Sequence, residues 1–416
     1  MKVLHLVHQY PPEFIGGVEH YTQSLARALV QRGWESAVFH RAYDVGMQLT
    51  LRRDGDVTVF AAGAGALAPT QRFLATWRQP TLLAHWRQVL ARFQPDLVHV
   101  QHLMGLPTAL LHDVSARRIP YLITLHDYWW QCANANLLTN YAEKACDGPR
   151  AYLNCTHCAI ARAGTPSAWG AAPLLWPLMA DRNRRLQPLL AHAAALLTPS
   201  EFVRRWYADH GAPTHLLRVA PLGVTPPARL PPHAGERNDD LRLLYLGGLA
   251  PNKGVHIVLE ALRGVTGNLR FAIAGDASAQ PGYAADLRRL ADPRVTFLGR
   301  LTRQQVWEAL AGADLVVVPS LWHETYCFAA HEALTAGVPV LASAMGALTE
   351  VIVDGVNGRL LPPGDPQAWQ AAIQEYVAAP SRLDELRRGV APSLHFTEHV
   401  AMIESTYHTI LSHATP

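Results

Sequence analysis

The sequence predicts an α/β protein with two doubly wound domains. The chain has 416 residues, and chains beyond about 250–300 residues usually divide into separate cores. An apolar strand over residues 2–7 leads through a glycine loop into an amphipathic helix over residues 18–31. The same order of strand, glycine-rich loop and helix occurs again later in the chain. The apolar stretch 241–246 is the strand, and a helix over residues 255–262 follows the loop. We therefore expect two parallel sheets.

Composition and charge exclude several classes of function. The formal net charge of +3 is small for this length, which argues against nucleic acid as a partner. The first residues turn polar too early for a signal peptide, and Pro166, Pro173 and Pro177 interrupt the best uncharged run, residues 163–180. We therefore expect a cytoplasmic protein without a spanning helix, in which the five cysteines are reduced thiols or metal ligands.

Two stretches of the first half carry polar patterns. Asp54-Gly55-Asp56 has the D-x-D form of a divalent-metal motif, but it lies in a polar turn without a second carboxylate cluster, so we interpret it as a turn. Residues 72–93 mix tryptophan, phenylalanine and leucine with arginines around Pro80. This pattern fits a basic surface that touches a membrane, and it also fits a helix that packs on the sheet with its arginines in solvent.

A histidine and an aspartate follow the strand predicted over residues 121–125. His126 and Asp127 come at its carboxyl end, where open parallel sheets bind their ligands. A histidine in this position serves either catalysis or structure. His8 and His102 also follow predicted strands.

An insert over residues 128–160 contains the cysteines Cys132, Cys146, Cys155 and Cys158. The closing C-x2-C is a spacing with which one turn grips a metal ion, so a structural zinc ion is one interpretation. Four free thiols are the other, because the spacing before the C-x2-C is irregular. A catalytic metal is not expected, since four thiolates leave no open position.

The stretch PSLWHETYCFAAHEALTAGVPV, residues 319–340, has the densest pattern of the chain. Glu324 and Glu332 stand eight positions apart between two apolar strands, and a helix is predicted from about Cys327. The free N–H groups of a helix start can hold a phosphate. One carboxylate can then bond the hydroxyls of the group that the phosphate carries, and the other can bond a ribose. We expect a nucleotide site here, with a lowered pKa and ready alkylation of the Cys327 thiol.

This stretch resembles the E-x7-E signature of glycosyltransferase family 4, which contains retaining nucleotide-sugar enzymes. The resemblance implies the GT-B fold, in which two Rossmann-like domains face a central cleft. It implies that Glu324 holds the transferred sugar and Glu332 the ribose, with Tyr326, Cys327 and Phe328 at the phosphate-facing turn. The family commonly has glycine in place of Cys327.

Other parts of the chain share the resemblance. Gly16 and Gly17 match glycines that let the backbone approach the donor phosphate, and TLHD matches a motif whose histidine, here His126, reaches the donor sugar. The resemblance makes Lys253 the cation for the diphosphate and places Asp127 towards the acceptor. His126, Glu324 and Lys253 are thus the expected catalytic residues.

One departure from the family concerns the phosphate site. The family usually has arginine where this chain has Gly248, which leaves part of the phosphate charge without its usual partner. Arg300 and Arg303 are candidates to replace it.

The resemblance also sets the expected domain boundaries. VAPLGV, residues 219–224, is similar to the start of the family's second domain. We expect an acceptor domain over residues 1–218 and a donor domain over residues 219–394, with a final helix over 395–416 that packs back on the first domain. The stretch 226–240, rich in proline, glycine and charge, is expected to be an exposed loop.

The function implied by the resemblance is transfer of a hexose from a nucleoside diphosphate sugar to a glycan or lipid-linked acceptor, in the synthesis of a surface polysaccharide or glycolipid. Such an enzyme needs no cofactor for catalysis, and it works in the cytoplasm, in some cases peripherally at the inner face of the cell membrane. The same fold also leaves open a nucleotide-sugar epimerase and a phosphorylase-like enzyme. Gly248 suggests a third alternative, a nucleotide-sugar binding protein without turnover.

Overall fold

The chain divides into two compact units, which are described separately. The computed structural model describes residues 1–14, 16–43, 45–65, 67, 69–164, 169–170, 172–232 and 240–414. The first unit comprises Met1–Ala142, Cys146–Leu222 and Thr397–Pro416, and the second comprises Glu143–Ala145 and Gly223–Phe396. Residues 233–239 of the expected exposed loop lie outside the described residues, as does the side chain of Arg72. Within the described part of the chain, no helix has the length and apolar character needed to cross a bilayer.

The first unit is built on an eight-stranded sheet with the order β3-β4-β2-β1-β5-β6-β7-β8. All neighbouring strands are parallel except β3, which runs antiparallel to β4. Its central strands are short and buried on both faces, as parallel sheets require. The strands are β1 Lys2–Val7, β2 Glu35–Ala42, β3 Leu49–Asp54, β4 Val57–Gly63, β5 Leu97–Val100, β6 Tyr121–Thr124, β7 Ala195–Thr198 and β8 Leu217–Val219.

Helices connect these strands and cover the sheet. They are α1 Gly17–Gln31, α2 Pro69–Leu74, α3 Pro80–Phe93, α4 Ala109–Ala116, α5 Leu153–Arg162, α6 Ala172–Ala191 and α7 Glu201–Asp209. The helix α3 begins with Pro80 in its first turn. Proline is tolerated there because an N–H group in the first turn has no carbonyl partner within the helix. Its apolar face is buried through Leu82, Trp86 and Phe93, which fits the interpretation of a helix packed on the sheet.

Helix α6 corrects one expectation from the sequence. Proline was expected to interrupt the run 163–180. Pro166 lies outside the described residues, whereas α6 begins at Ala172 and continues through Pro173 and Pro177. Proline removes one helical hydrogen bond, and the carbonyl that loses it then needs another partner. Residues 173–178 are all exposed, so we infer that water supplies that partner.

The D-x-D stretch forms the hairpin turn between β3 and β4. Gly55 adopts a φ of +60°, which suits a tight turn. The carboxylate of Asp54 accepts hydrogen bonds from Tyr10 Oη at 2.8 Å and Gln23 Nε2 at 2.9 Å, and it also pairs with Arg27. These contacts fit the interpretation of the stretch as a turn.

The second unit has a six-stranded parallel sheet with the order β11-β10-β9-β12-β13-β14. Its strands are β9 Leu241–Leu246, β10 Leu269–Ala274, β11 Val295–Gly299, β12 Leu315–Val318, β13 Val340–Ser343 and β14 Gly358–Leu361. Its helices are α8 Val255–Leu262, α9 Pro281–Leu290, α10 Arg303–Ala311, α11 Phe328–Thr335, α12 Leu348–Val351, α13 Pro366–Ala378 and α14 Arg382–Arg388.

Alternate residues of the central strands build two cores, one on each face of this sheet. Leu243 and Val317 pack in a cluster with Trp369, whereas Leu244 and Val316 pack in a second cluster. This alternation is the two-residue period of a strand that is buried on both sides.

The last helix, α15 Phe396–Ala414, contributes buried polar contacts to the first unit. His399 Nε2 lies 2.8 Å from Tyr21 Oη, and Tyr407 Oη lies 2.6 Å from His99 Nδ1. Trp34 donates a hydrogen bond of 2.9 Å to Glu404. These bonds attach the C-terminal helix to α1, β5 and the start of β2.

Candidate active site

The carboxylate of Glu324 is held by a set of donors in the second unit. Its Oε1 atom accepts hydrogen bonds from Lys253 Nζ at 2.8 Å, Ser320 Oγ at 2.6 Å and Trp322 Nε1 at 2.8 Å. The backbone is fixed as well, because Ala347 N donates to the Glu324 carbonyl at 2.8 Å. The side chain of Glu324 is buried, so these donors set its direction.

The carboxylate of Glu324 favours the charged form of Lys253. Burial by itself would lower the pKa of Lys253, but the nearby Glu324 raises it above its usual value. The ammonium also lies 4.8 Å from the centroid of the Trp322 ring, a cation–π distance. A permanently charged lysine at this point can stabilise negative charge on a bound phosphate.

Helix α11 begins directly after this group. Cys327 precedes it with a φ of +68°, a left-handed conformation that is unusual for a residue with a Cβ. Glycine adopts that φ without strain, which explains why glycine suits this position. Ala330 N donates to the Cys327 carbonyl at 3.1 Å, whereas the N–H groups of Phe328 and Ala329 come too early in the helix for an intrahelical carbonyl, so they can bind an anion.

The expectation of a reactive Cys327 thiol is wrong. Burial raises the pKa of Cys327 to about 12, and the negative charge of Glu324 acts in the same direction. The helix start does not overcome these two effects. The thiol is therefore protonated and poorly nucleophilic at neutral pH.

Glu332 lies one turn inside α11 and is also buried. Burial raises its pKa, and Arg303 opposes that shift. Arg303 Nη1 donates a hydrogen bond of 2.5 Å to Glu332 Oε1, while more than half of the arginine side chain stays exposed. The guanidinium of Arg303 thus binds Glu332 in this structure. It does not replace the arginine that the family usually has at the position of Gly248.

Gly248 follows β9 and opens the loop that carries Lys253. A Cβ atom built on Gly248 would meet no atom within 4 Å. The first atom of a side chain at this position would therefore meet no neighbouring atom.

In the first unit, His126 follows β6 and is bonded to Gln101. The Nε2 atom of His126 lies 2.8 Å from Gln101 Oε1, and the Tyr21 ring packs against it with its centroid 4.9 Å away. Burial lowers the pKa of His126 to about 3. The imidazole is therefore neutral at physiological pH, and with the amide oxygen as acceptor its Nε2 carries the proton.

Asp127 belongs to a second polar group at the same edge of the sheet. His102 Nε2 lies 3.0 Å from one of its carboxylate oxygens, and the other accepts the Trp129 N–H at 2.8 Å. The His102 ring lies 4.4 Å from the ring of His8, which in turn is 3.4 Å from the Glu19 carboxylate. The structure thus gathers four titratable side chains where the sequence indicated separate histidines.

The two glycines at the start of α1 make room for that group. A Cβ atom on Gly16 would come 2.5 Å from Glu19 Oε2, and Gly17 is the first helical residue. Burial raises the pKa of Glu19. Gly16 therefore allows a buried carboxylate to approach the backbone at this point.

The four insert cysteines line one cavity of about 30 Å³, together with Leu137 and Met179. Cys146 Sγ accepts hydrogen bonds from Gly148 N at 3.5 Å and Asn154 Nδ2 at 3.6 Å. Burial raises the pKa of Cys155 to about 12 and that of Cys158 to about 11. Among the described residues, no group of three or more His, Cys, Asp or Glu side chains is arranged to hold a metal ion.

Two family models match the chain. The model described as Glycosyltransferase Family 4 matches residues 15–226, which is more than half of the chain. The model described as Glycosyl transferases group 1 matches residues 229–390. The chain belongs to glycosyltransferase family 4. Membership in the family makes the protein a glycosyltransferase and confirms the family suggested by the glutamate motif.

Individual relatives share moderate identity with this family 4 glycosyltransferase. It is 25% identical over 394 residues to the D-inositol 3-phosphate glycosyltransferase of Xylanimonas cellulosilytica, covering 90% of this chain and 86% of that protein. It is 30% identical over 200 residues to the lipopolysaccharide 1,2-N-acetylglucosaminetransferase of Salmonella typhimurium, covering 44% of this chain and 52% of that protein.

A solved structure shares the fold of the glycosyltransferase. The Anabaena protein HepE, solved in complex with UDP-glucose, superposes with a TM-score of 0.66 at 18% identity, covering 99% of this chain and 100% of that chain. The expected GT-B architecture of two Rossmann-like α/β domains with parallel sheets is confirmed.

Several polar residues around these sites were not found from the sequence of the glycosyltransferase. Ser320 and Trp322 lie just before Glu324, but their bonds to Glu324 depend on the fold of the loop. Gln101 immediately follows β5, so its place at a carboxyl strand end was a usable signal. Glu19 lies two residues after the glycine pair, and its position in the first turn of α1 was a second such signal.

Proposed function

We propose that this glycosyltransferase is a retaining enzyme that moves a hexose from a nucleoside diphosphate sugar to a hydroxyl group of a glycan or lipid-linked acceptor. The observation that carries the proposal is the partly buried contact between Lys253 and Glu324 beside the start of α11. It combines a cation, a fixed carboxylate and free helix N–H groups, which suit a diphosphate that carries a sugar.

The donor binds to the second unit in this proposal. The diphosphate takes the N–H groups at Cys327 and Phe328 and the ammonium of Lys253. Glu324 accepts hydrogen bonds from hydroxyl groups of the sugar. Glu332 accepts them from the ribose, which competes with Arg303 for the carboxylate.

The transfer step exchanges one bond at the anomeric carbon for another on the same face. The bond from this carbon to the phosphate oxygen breaks, and a bond to the acceptor oxygen forms. The acceptor proton passes to the leaving phosphate, so the step needs no enzymic nucleophile and no metal. Lys253 and the helix start stabilise the charge that grows on the phosphate, which is the main contribution of the protein to the rate.

Side chains of the first unit take the remaining roles. His126 is neutral and serves as a hydrogen-bond partner of the transferred sugar rather than as an acid. Asp127, oriented by His102 and the Trp129 N–H, binds the acceptor. Gly16 and Gly17 allow the donor phosphate to approach the backbone.

The comparisons support the choice of substrates. The structural relative HepE was solved with UDP-glucose, which supports a uridine nucleotide carrying a hexose. The relative from Salmonella typhimurium acts on lipopolysaccharide by its name, which supports an acceptor in the synthesis of a surface glycan.

The test is calorimetric titration of UDP, GDP and ADP into the wild type, Glu332→Ala and Glu385→Ala. Glu385 lies on α14 and serves as an exposed control. We expect UDP to bind the wild type and the control, and Glu332→Ala to lose most of the affinity. If none of the nucleotides binds, or if Glu332→Ala binds as well as the control, the assigned donor site is wrong.

A second measurement tests retention. The enzyme is given the nucleotide sugar identified by titration, and the anomeric configuration of the transferred sugar is read by NMR. An inverted linkage would contradict the proposed same-face step.

A further inference from the structure

A buried glutamine links two histidines inside the first unit. His5 lies in β1, Gln101 directly follows β5 and His126 follows β6, and these three strands are neighbours in the sheet. His5 and Gln101 are fully buried, and His126 keeps 8% of its surface accessible. The three side chains therefore make their hydrogen bonds where water competes little for them.

The side-chain amide of Gln101 contacts both imidazole rings. Its Oε1 atom lies 2.8 Å from His126 Nε2, and its Nε2 atom lies 3.4 Å from His5 Nδ1. The two ends of an amide differ, because the oxygen only accepts hydrogen bonds and the nitrogen only donates them. His126 Nε2 therefore carries a proton, and His5 Nδ1 accepts a hydrogen bond with its lone pair. The amide thus couples the proton positions of the two rings.

Other side chains hold the two rings in place. The His5 ring lies 5.6 Å from the ring of His99, and His99 Nε2 lies 2.7 Å from Thr124 Oγ1. The Tyr21 ring packs against His126 in an edge-to-face arrangement, with its centroid 4.9 Å away. The amide therefore lies between two rings whose positions are already restricted.

An amide orients a histidine without adding charge. A carboxylate in the same place would favour the doubly protonated imidazolium. The nearby charge of Asp127 already raises the pKa of His126, but burial lowers that pKa to about 3, and His102 and His399 act with burial. A neutral partner at Nε2 leaves this balance unchanged, so glutamine suits a histidine that stays neutral.

We propose that Gln101 is a positioning residue that fixes the ring orientation of His126 and keeps its proton on Nε2. The proposal deepens the proposed function, because it rests on the role of His126 as a hydrogen-bond partner of the transferred sugar. A ring held in one orientation and one tautomer loses less freedom when the sugar binds. Gln101 acts through His126 and does not itself touch the substrate.

The first experiment uses NMR correlation spectra of protein with isotope-labelled histidine, which report the ring nitrogen that carries the proton. The spectra are recorded without ligand, and His126→Gln identifies the signals of His126 among the 21 histidines. We expect wild-type His126 to be neutral with its proton on Nε2. Gln101→Leu should give a mixture of tautomers, since leucine offers no acceptor. Gln101→Glu should keep the Nε2 proton and raise the pH of double protonation by roughly one unit or more.

Calorimetric titration with UDP-glucose and with UDP is the second experiment. Gln101→Leu is expected to weaken binding of UDP-glucose about threefold to tenfold and to leave binding of UDP unchanged, because UDP lacks the sugar. Gln131→Leu is the matched control. Gln131 is a second buried glutamine of the first unit, and its amide donates to the His210 carbonyl instead. We expect this control to keep the His126 spectrum and both affinities of the wild type.

The proposal is overturned if wild-type His126 carries its proton on Nδ1, or if Gln101→Leu shows the same His126 spectrum as Gln131→Leu. It is also overturned if UDP-glucose binds the wild type and Gln101→Leu equally well. A wild type that binds neither UDP nor UDP-glucose contradicts the proposed donor site, and the NMR spectra then decide the role of Gln101 alone. Should Gln101→Leu not fold, the spectra of the wild type and Gln101→Glu carry the test.

Discussion

Lys253 Nζ lies 2.8 Å from Glu324 Oε1, and each residue stands on the loop after one of two neighbouring parallel strands, β9 and β12. The two loops touch at Gly254, where a Cβ atom would come 1.9 Å from the Pro319 carbonyl oxygen. Gly254 also has a φ of +70°, so only glycine suits both constraints. The pairing of cation and carboxylate therefore depends on a close approach of two loops at the carboxyl edge of the sheet.

This relationship predicts the effect of removing the cation. Lys253→Met should lower the rate of sugar transfer by roughly 10²–10³-fold, the usual cost of losing one group that stabilises developing charge. The rate is measured as nucleotide release with saturating donor and acceptor. Arg270→Met is the control, because Arg270 is exposed and pairs only with Asp240 among the contacts described for it.

Loss of Lys253 also leaves a buried carboxylate without its partner, which lowers stability. Lys253→Arg keeps the charge and is expected to retain the wild-type melting temperature with a partial loss of rate, since a planar guanidinium does not reproduce the position of the ammonium. Transfer at the wild-type rate by a folded Lys253→Met protein would remove lysine from the proposed mechanism.

The open space at position 248 gives a gain-of-affinity prediction. Gly248→Arg should bind UDP about tenfold more tightly or better, because a guanidinium adds charge-assisted hydrogen bonds to phosphate and the Cβ atom that carries it meets no neighbouring atom. Calorimetric titration measures the change. Gly282→Arg on α9, another position where a Cβ atom meets no neighbour, controls for the added charge. Equal affinities of the two variants would mean that residue 248 does not face the phosphate.

Buried histidines predict how the stability depends on pH. Burial lowers the pKa of His5 and His126 to about 3 and that of His331 and His399 to about 4, from an ordinary value near 6.5. The unfolded chain therefore binds protons that the folded chain does not. The free energy of unfolding should be greatest above about pH 6.5 and fall by about 1.4 kcal/mol per pH unit for each such histidine as the pH drops towards 4.

The variant His5→Asn tests this coupling between protonation and folding. The quantity compared is the slope of the free energy of unfolding against pH, not the free energy at one pH. Urea unfolding at a series of pH values should show a shallower loss of stability in His5→Asn than in the wild type. His112→Asn is the control, because His112 is exposed on α4. Parallel slopes in all three proteins would show that His5 titrates alike in the folded and unfolded chains.

The strands of the second unit were predictable because burial on both faces leaves a simple pattern. Residues 241–246 and 269–274 are apolar runs between glycine-containing loops, and the structure has β9 and β10 at those positions. Strand β3 was missed, because Leu49–Asp54 lies at the antiparallel edge of the sheet and is largely accessible, so it lacks such a run. Helix α6 was not predicted from the sequence because it contains prolines. Its first turns are exposed to solvent, where water can bind the carbonyl groups that the prolines leave without a helical partner.

The sequence predicted the two glutamates of the candidate site, but it did not predict most of the side chains that contact them. Glu324 and Glu332 are close in sequence, so a short pattern reveals them, whereas Lys253 meets Glu324 across 71 positions and was found only through the family resemblance. The pKa of Cys327 was mispredicted because a helix start is visible in sequence while burial next to a carboxylate is not. Contacts set by loop geometry, such as that of Gln101 with His126, require the folded chain.

Zinc binding by the four cysteines of the insert is a further prediction that can be tested. Cys132, Cys146, Cys155 and Cys158 line one small cavity, and Cys146 Sγ accepts hydrogen bonds from Gly148 N and Asn154 Nδ2. If the cavity holds a structural zinc ion, protein purified after growth with zinc carries about one zinc ion per chain, measured by elemental analysis. The ion would act on stability rather than on the transfer step, because four thiolates leave no open position.

Cys155→Ser and Cys158→Ser should lose the zinc and unfold at a lower temperature, since the ion would tie the irregular insert to α5. Cys327→Ser is the matched control, because it removes a half-buried cysteine thiol in the other unit and should keep the metal. A metal-free wild type with five titratable thiols would instead favour free cysteines, in agreement with the absence of a ready three-ligand group among the described residues. In that case the cavity contributes only apolar packing between the insert and Met179 of α6.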